Sequence, residues 1–326
     1  MKKSNTLFSW QQLIVFVLLT ISSNAFAEKY LVISESRHPY HQKIVESLSS
    51  NLMSDGHVID SIIPEDFSTY SIGEYSSLIT IGYQSAARVI NNQTAKPVLS
   101  LLIPKLAFNL LLNNKIEKDN RYLFSSIYID QPIERQLRLI DLLSHNFKKI
   151  GILYGKNSYS RKKEISSVIA SAGYRVKNIT VLERTELISE TRHLSENSDL
   201  LLAIPDSTIY NRRSIKGILL TTYRNKIPVI GFSKAYVKAG ALAAVYSSPE
   251  NISLQAIETI QHNTRHSYIS ASRQHPKYFN IETNAKVARS LNINIPNKDQ
   301  LLKQLIKFEA NQHTQAATRK DKHNRG

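Results

Sequence analysis

The sequence predicts an α/β protein made of two doubly wound lobes, each with a parallel sheet covered by helices on both faces. Short apolar runs alternate with helix-length segments along almost the whole chain, which is typical of parallel strands joined by helices. The alternation forms two series that meet near residue 128, and 326 residues are too many for one ordinary core.

The stretch 199–246 carries the clearest pattern. Two apolar runs, 200–204 and 227–230, end abruptly in small or polar residues, and a helix-length segment lies between them. A buried parallel strand that delivers a loop to the carboxyl edge of its sheet has this pattern. Since open α/β sheets bind their ligands at that edge, the pattern predicts a small-molecule site.

The N-terminus has the pattern of a signal peptide. Lys2 and Lys3 precede a short apolar run at 13–19, and Ala25 and Ala27 supply the small residues that signal peptidase needs. The apolar run is about half of the roughly 20 residues that a membrane span requires. We therefore expect export to a bacterial periplasm, with cleavage after Ala27.

The remaining elements follow in chain order after the signal peptide. The other predicted strands are mostly apolar runs at 30–34, 77–81, 97–101, 123–129 and 150–154, together with two strand-like segments of mixed character at 58–63 and 174–179. The predicted helices are the segments between them at 39–54, 85–91, 132–144, 161–172 and 186–197, with Pro132 well placed as a first helical residue.

These elements predict a division of the chain into two lobes joined by a multi-strand hinge. Each lobe takes one long and one short segment. The predicted parts are a signal peptide at 1–27, lobe 1 at 28–127 plus 247–277, lobe 2 at 128–246 plus 278–296, and a basic, disordered tail at 297–326.

Composition excludes several classes of function. The absence of cysteine excludes disulfides, thiolate metal sites, cysteine nucleophiles and an acylated N-terminal cysteine. The net charge of +16 is spread along the chain without a basic helix or an aromatic–basic module. This favours a cationic surface near anionic lipid or wall polymer over nucleic-acid binding.

Motifs for catalysis and for cofactors are missing. The sequence has no Gly-x-Ser-x-Gly elbow, no phosphate-binding Gly-Lys-Ser/Thr loop and no Gly-x-Gly-x-x-Gly fingerprint. The pairs His38/His41 and His262/His266 lack a third ligand in a recognisable metal pattern. We therefore expect no metal, no cofactor and no enzymatic activity; the alternative, an exported α/β hydrolase, lacks an assembled nucleophile.

A series of short motifs resembles one known family. They are the His38-Pro39 loop after the first strand, the Gly82 to Ala87 turn, the Asp130 to Gln136 entry into the second series, the Pro205-Asp206-Ser-Thr208 loop and the segment 279–296. Their order resembles that of the periplasmic substrate-binding proteins of ABC transporters, type I fold, in the branch that includes binders of aromatic amino acids. The resemblance covers about residues 29–296, but Tyr83 and Gln84 replace the family's Thr-Pro, so the ligand does not transfer.

The resemblance implies that ligand-contacting residues lie on strand-end loops of both lobes. From lobe 1 these are Ser34, Glu35, Arg37, Tyr83, Gln84 and Ser85; from lobe 2 they are Tyr128, Tyr154, Asn157, Asp206, Thr208 and Lys234.

Several of these residues have a structural alternative. Ser85 either offers amides to an anion or is a plain N-cap. Arg37 either clamps an anion or is an exposed surface arginine. Asp206 either holds an ammonium group or caps a helix that begins at Ile209, and Tyr128 is either an aromatic shelf or a packed hinge residue.

The resemblance also implies the function. We expect a monomeric, non-enzymatic binding protein that closes two lobes on an amino acid or a similar solute and delivers it to an ABC permease. The alternative is a sensory subunit that regulates a membrane histidine kinase or cyclase, with or without a ligand. The sequence alone does not separate the two.

Overall fold

The computed structural model describes residues 27–35, 39–266 and 272–323, with side chains except at 263–266 and 312–323. The strands of this part of the chain are β1 (Lys29–Ser34), β2 (Val58–Ile62), β3 (Ser77–Ile81), β4 (Val98–Ile103), β5 (Phe124–Tyr128), β6 (Lys149–Tyr154), β7 (Arg175–Thr180), β8 (Leu200–Leu202), β9 (Val229–Gly231), β10 (Ala243–Tyr246), β11 (Arg273–Gln274) and β12 (Asn280–Thr283).

The described α-helices lie between these strands and at the end of the chain. They are α1 (Pro39–Ser54), α2 (Tyr83–Asn91), α3 (Lys105–Lys115), α4 (Ile133–Leu143), α5 (Lys162–Ser171), α6 (Leu187–Glu196), α7 (Ile215–Arg224), α8 (Lys234–Ala239), α9 (Pro249–His266), α10 (Ala285–Ser290) and α11 (Lys298–His323).

The strands form two six-stranded sheets, which confirms the predicted fold class. The first sheet has the order β11-β5-β4-β3-β1-β2 with every pair parallel. The second has the order β12-β10-β9-β8-β6-β7, and β12 is its one antiparallel strand. Strand order reverses between β1 and β3 and between β6 and β8. These two switch points are where doubly wound sheets bind ligands.

The centre of each sheet is buried between helices because its central strands are apolar on both faces. In β1, Leu31 and Val32 are fully buried and belong to different core clusters, one on each face of the sheet. Ile44, Leu48 and Leu52 recur every four residues along α1 and pack on the Val32 face. This spacing places them on one side of the helix, which explains why the helix over 39–54 was predictable.

Three crossovers connect the two sheets: 129–132, 247–248 and 275–279. Ser247 Oγ accepts a hydrogen bond from Gln131 Nε2 at 3.0 Å and donates one to the Tyr278 carbonyl at 2.6 Å. His275 Nδ1 lies 2.8 Å from the Asp130 carbonyl oxygen. The crossovers are therefore tied to each other, as a shared hinge requires. The residue boundaries of the lobes as moving units stay a prediction.

The structure corrects the prediction of a disordered tail at 297–326. Residues Lys298–His323 form α11, in which Leu301 and Leu305 are fully buried in the core of the second sheet. Glu309 of the same helix forms an ion pair with the buried Arg135 of α4. Two leucines at i, i+4 give this polar segment one apolar face, and that face is enough to dock it.

Three further helix boundaries differ from expectation. No element was predicted for α3, because its two apolar triplets, 106–108 and 110–112, hide the helical period. The helix predicted at 85–91 begins earlier, at Tyr83, with Gly82 as N-cap at φ 92°. The helix expected from Ile209 begins at Ile215, because 206–211 form a separate turn.

The predicted signal peptide lies almost wholly outside the described residues. Within the described segments, no helix combines the length and the apolar character that crossing a bilayer would need.

Candidate ligand-binding cleft

A cleft of about 1000 Å³ separates the carboxyl edges of the two sheets. One wall consists of Tyr83, the loop after β4 and the exposed face of α3. The other consists of the loops after β6, β8 and β9. The lining residues are Tyr83, Leu102, Pro104, Leu106, Ala107, Leu110, Leu111, Asn114, Lys115, Ile129, Asp130, 156–161, 205–207, Tyr210 and Phe232.

Asp206 holds the two switch-point loops of the second sheet together. Its Oδ2 accepts the Gly155 amide at 3.0 Å and the Ser158 hydroxyl at 2.6 Å. Its Oδ1 accepts the Thr208 amide at 2.8 Å and the Thr208 hydroxyl at 2.6 Å. With four donors from its own chain and 3% of its surface exposed, this carboxylate is saturated by internal contacts.

Asp130 makes a second internal connection, between the two walls of the cleft. Its Oδ2 accepts the amide of Lys105, the first residue of α3, at 2.7 Å. Its Oδ1 lies 3.2 Å from Arg161 NH1 on the opposite wall. The carboxylate thus caps the positive end of α3 and orients the guanidinium.

Glu35 occupies the N-terminus of α2 at the switch point of the first sheet. Its Oε1 accepts the Gln84 amide at 3.0 Å, and a Cβ on Gly82 would collide with this carboxylate. Burial raises the pKa of Glu35 above its ordinary value, against the effect of the Gln84 hydrogen bond. The chain's own carboxylate therefore sits where sequence analysis predicted a ligand anion.

Exposed tyrosines stand on both walls of the cleft. Tyr83 is 48% exposed and Tyr159 is 59% exposed. At the base, the ring of Tyr210 meets that of Phe232 edge-on, with centroids 5.9 Å apart. Burial raises the pKa of Tyr210 well above its ordinary value, so this phenol stays neutral. The cleft is thus an apolar, aromatic slot with charged groups at defined places.

The structure brings three of the predicted site residues to the cleft lining: Tyr83, Asn157 and Asp206. Near its edges, Glu35 and Gln84 bond to each other, and Thr208 bonds to Asp206. Arg37 lies outside the described residues. Ligand contact by any of these residues stays a prediction.

The other predicted site residues lie elsewhere. Ser34, Ser85 and Tyr154 are buried. Tyr128 is a packed hinge residue between Phe108 and His275. Lys234 pairs with Glu282 at 3.4 Å.

Sequence reasoning missed most of the wall formed by α3 and also missed Arg161. No motif marks these residues, because α3 was not recognised as a helix. Arg161 is the first residue of the helix predicted at 161–172, and nothing in that helical pattern marks it as a site residue. The one available signal was position: both segments follow predicted strand ends, at 101 and 154.

The described residues were compared with the ligand sets that metal ions require. No group of three or more His, Asp or Glu side chains there is placed to hold an ion. His38 and the His266 side chain are outside the described part.

Two doubly wound lobes, three hinge crossovers and a cleft at both switch points define a bilobal solute-binding protein. The sequence itself identifies the family. Residues 74–304 match it, and the chain belongs to the ABC transporter substrate binding proteins. This confirms the resemblance seen in the sequence and the expected role of binding a solute for an ABC transporter, and it favours transport over the sensory alternative. Members of this family are solute-binding proteins and generally not enzymes, and they typically act outside the cytoplasm.

Solved structures of low sequence identity share the fold. A conserved domain protein from Vibrio cholerae is 21% identical, with a TM-score of 0.62, over 85% of this chain and 97% of its own. The ABC domain from Streptococcus pneumonia, solved in complex with L-Trp, is 20% identical, with a TM-score of 0.59, over 84% and 98%. A substrate-binding protein with adhesive properties from Clostridium difficile, in its ligand-free, open form, is 17% identical, with a TM-score of 0.68, over 83% and 97%. No curated protein matches the sequence significantly.

Proposed function

We propose that this protein captures a small solute, an amino acid or a similar molecule, in the cleft between its lobes and presents it to an ABC permease. The observation that carries the proposal is the cleft itself, which the carboxyl edges of both sheets form together. A solute bound there contacts both walls at once, and its binding energy can therefore hold the lobes closed.

The place of action is the periplasm, reached after cleavage behind Ala27. The sequence pattern of the first 27 residues supports this. Mass spectrometry of the protein recovered from a periplasmic extract tests it, because the mature chain should begin at Glu28. A chain retaining residues 1–27 would contradict the proposed cleavage.

Solute capture is tested by a thermal-shift screen of the exported protein against amino acids, aromatic acids, small anions, purines and sugars. A solute that binds only the folded state at a hundredfold excess over Kd stabilises it by about 2.7 kcal/mol. Small-angle scattering with a solute that shifts the melting temperature should show a smaller radius of gyration. A screen in which no class shifts the melting temperature would contradict the proposal.

A matched pair of tyrosine variants locates the binding. Tyr83 lines the cleft, whereas Tyr122 is similarly exposed in the same half of the chain but lies outside the lining. We expect Tyr83→Ala to weaken solute binding by about two- to tenfold, since stacking on one aromatic ring is worth roughly 0.5–1.5 kcal/mol. Tyr122→Ala should leave it unchanged. Equal effects of the two substitutions would place the solute elsewhere.

A further inference from the structure

The acidic groups of the cleft are already committed to the protein. Within the lining that the structure describes, Asp130 and Asp206 are the acidic side chains, and each is about 3% exposed. Asp206 accepts four donors from neighbouring loops. Asp130 accepts the Lys105 amide and Arg161. An ammonium group that entered the cleft beside these two aspartates would give up its water without gaining either of them as a free partner, which is unfavourable.

The basic groups of the cleft are differently placed. Lys115 and Lys156 line it and are exposed, and among the described residues neither has a carboxylate within 4 Å. Arg161 is only 12% exposed in its side chain, with NH1 on Asp130 at 3.2 Å and Nε 3.5 Å from Glu164. These contacts account for two of its three guanidinium nitrogens. The planar guanidinium has five N–H donors, and the pair of acids fixes its orientation at the wall.

The anion position on the opposite wall is already filled. The Gln84 amide, at the first turn of α2, donates to Glu35 Oε1. A ligand anion there would have to displace the chain's own carboxylate and would meet its charge. Arg161 differs from these groups because its NH2 nitrogen is bonded to neither Asp130 nor Glu164, so it is the oriented group of the cleft that can still donate to an anion.

The shape of the slot limits the rest of the solute. Tyr83 and Tyr159 face the cleft from opposite walls, Leu106 and Leu110 add apolar surface, and Phe232 lies at the base. Such a lining favours a planar, apolar body that can lie between aromatic side chains.

We infer that the solute of this cleft is an aromatic carboxylate without an ammonium group, and that Arg161 selects it by binding its carboxylate. This inference rests on the proposed function, because it names the substrate class of the same cleft. The inference narrows the expected substrate from an amino acid to a simple carboxylate: an amino acid shares the ring and the carboxylate, but its ammonium group finds no free aspartate in the lining.

The test uses three probes with the same ring and chain length: 3-phenylpropionate, L-phenylalanine and phenethylamine. Isothermal titration calorimetry of the exported protein should give affinities that decrease in that order, with 3-phenylpropionate binding at least tenfold more tightly than L-phenylalanine. Arg161→Gln should weaken the binding of 3-phenylpropionate at least tenfold and change the affinity for phenethylamine less than threefold. The control Lys163→Gln removes an exposed cation two residues from Arg161 but outside the lining, and it should change the affinity for 3-phenylpropionate less than threefold.

Arg161→Lys separates a point charge from a planar fork, because lysine keeps the charge but loses bidentate geometry. We expect the affinity of Arg161→Lys for 3-phenylpropionate to lie between those of the wild type and Arg161→Gln. Circular dichroism checks that the variants fold. If Arg161→Gln does not fold, the ranking of the three probes on the wild-type protein still tests whether the cleft selects a carboxylate without an ammonium group.

L-phenylalanine or phenethylamine binding as tightly as 3-phenylpropionate would overturn the inference while leaving solute capture intact. So would an unaltered ranking in Arg161→Gln, or a solute screen whose hits are confined to sugars or purines. A screen without any binding solute would instead overturn the proposed function, and this inference with it.

Discussion

Asp206→Ala is expected to destabilise the second lobe and not only to affect ligand binding. From sequence alone, the carboxylate was a candidate for holding an ammonium group, which predicted an intact fold in this variant. In the structure it joins the loop after β6 to the loop after β8, residues about 50 positions apart. Removing it therefore cuts a buried tertiary connection.

The magnitude follows from the donors that lose their acceptor. Each hydrogen bond to a charged group contributes roughly 1.5–3 kcal/mol, but four bonds to one group are not additive. Gly155 N also lies 3.2 Å from the Ser158 hydroxyl, so this amide keeps a partner, and the hydroxyls of Ser158 and Thr208 can rotate. The Thr208 amide loses its acceptor. We expect a loss of about 3 kcal/mol in the free energy of unfolding.

Urea denaturation followed by circular dichroism measures this loss. Asp206→Asn should cost less, about 1–2 kcal/mol, because the amide keeps one acceptor oxygen. Ser207→Ala is the matched control: its hydroxyl accepts only from Asn157 at an exposed site, so the effect should stay within roughly 0.5 kcal/mol. If Asp206→Ala were as stable as wild type and lost only solute binding, Asp206 would not hold the two loops together, and direct ligand contact would be its role.

Three further predictions concern the first switch point and the C-terminal helix. Gly82→Ala should lower the free energy of unfolding by about 1–3 kcal/mol, because φ is 92° and the new Cβ meets the Glu35 carboxylate. Adding Glu35→Ala should restore part of that loss. Strictly additive effects of the two substitutions in a double-mutant cycle would contradict the contact. The raised pKa of Glu35 means that this carboxyl group binds its proton more tightly in the folded state than in the unfolded state. The protonated group therefore stabilises the fold at low pH, and this stabilisation is lost as the pH rises from about 4.5 through the folded-state pKa. Glu35→Gln should therefore gain stability relative to wild type as the pH is raised across that range, and a difference that shrinks over the same titration would contradict the shift. Leu305→Ala should lower the free energy of unfolding by about 2–5 kcal/mol, because it removes a side chain that is buried in the core. The control Ile306→Ala changes the adjacent, exposed residue and should be nearly neutral. Equal effects of the two substitutions in thermal denaturation would mean that α11 does not pack as described.

Most of the architecture could be predicted from the sequence because it depends on local patterns. Apolar runs of four to six residues, bounded by polar or small residues, located the principal strands to within one or two residues. The four-residue recurrence of Ile44, Leu48 and Leu52 located α1. The failures were also local in origin. In α3, the apolar triplets 106–108 and 110–112 hide the helical period, and in α11 the apolar residues, such as Leu301 and Leu305, stand among many polar and charged ones.

The cleft was predictable in position but not in chemistry. Asp206 and Tyr83 were expected at strand-end loops, and they line the cleft. That Asp206 would be saturated could not be seen, since its donors come partly from Gly155 and Ser158, which follow a different strand.

By itself, the sequence determined the class of fold, the two series of strands and helices, and the edges at which a ligand can bind. These follow from the periods of strands and helices, which each segment carries on its own. Only the tertiary structure decided which charges remain available to a solute. Glu35 meets an amide 49 residues away, and Asp130 meets Arg161 across the cleft. Whether a polar group is free or satisfied depends on partners that packing brings together from distant parts of the chain.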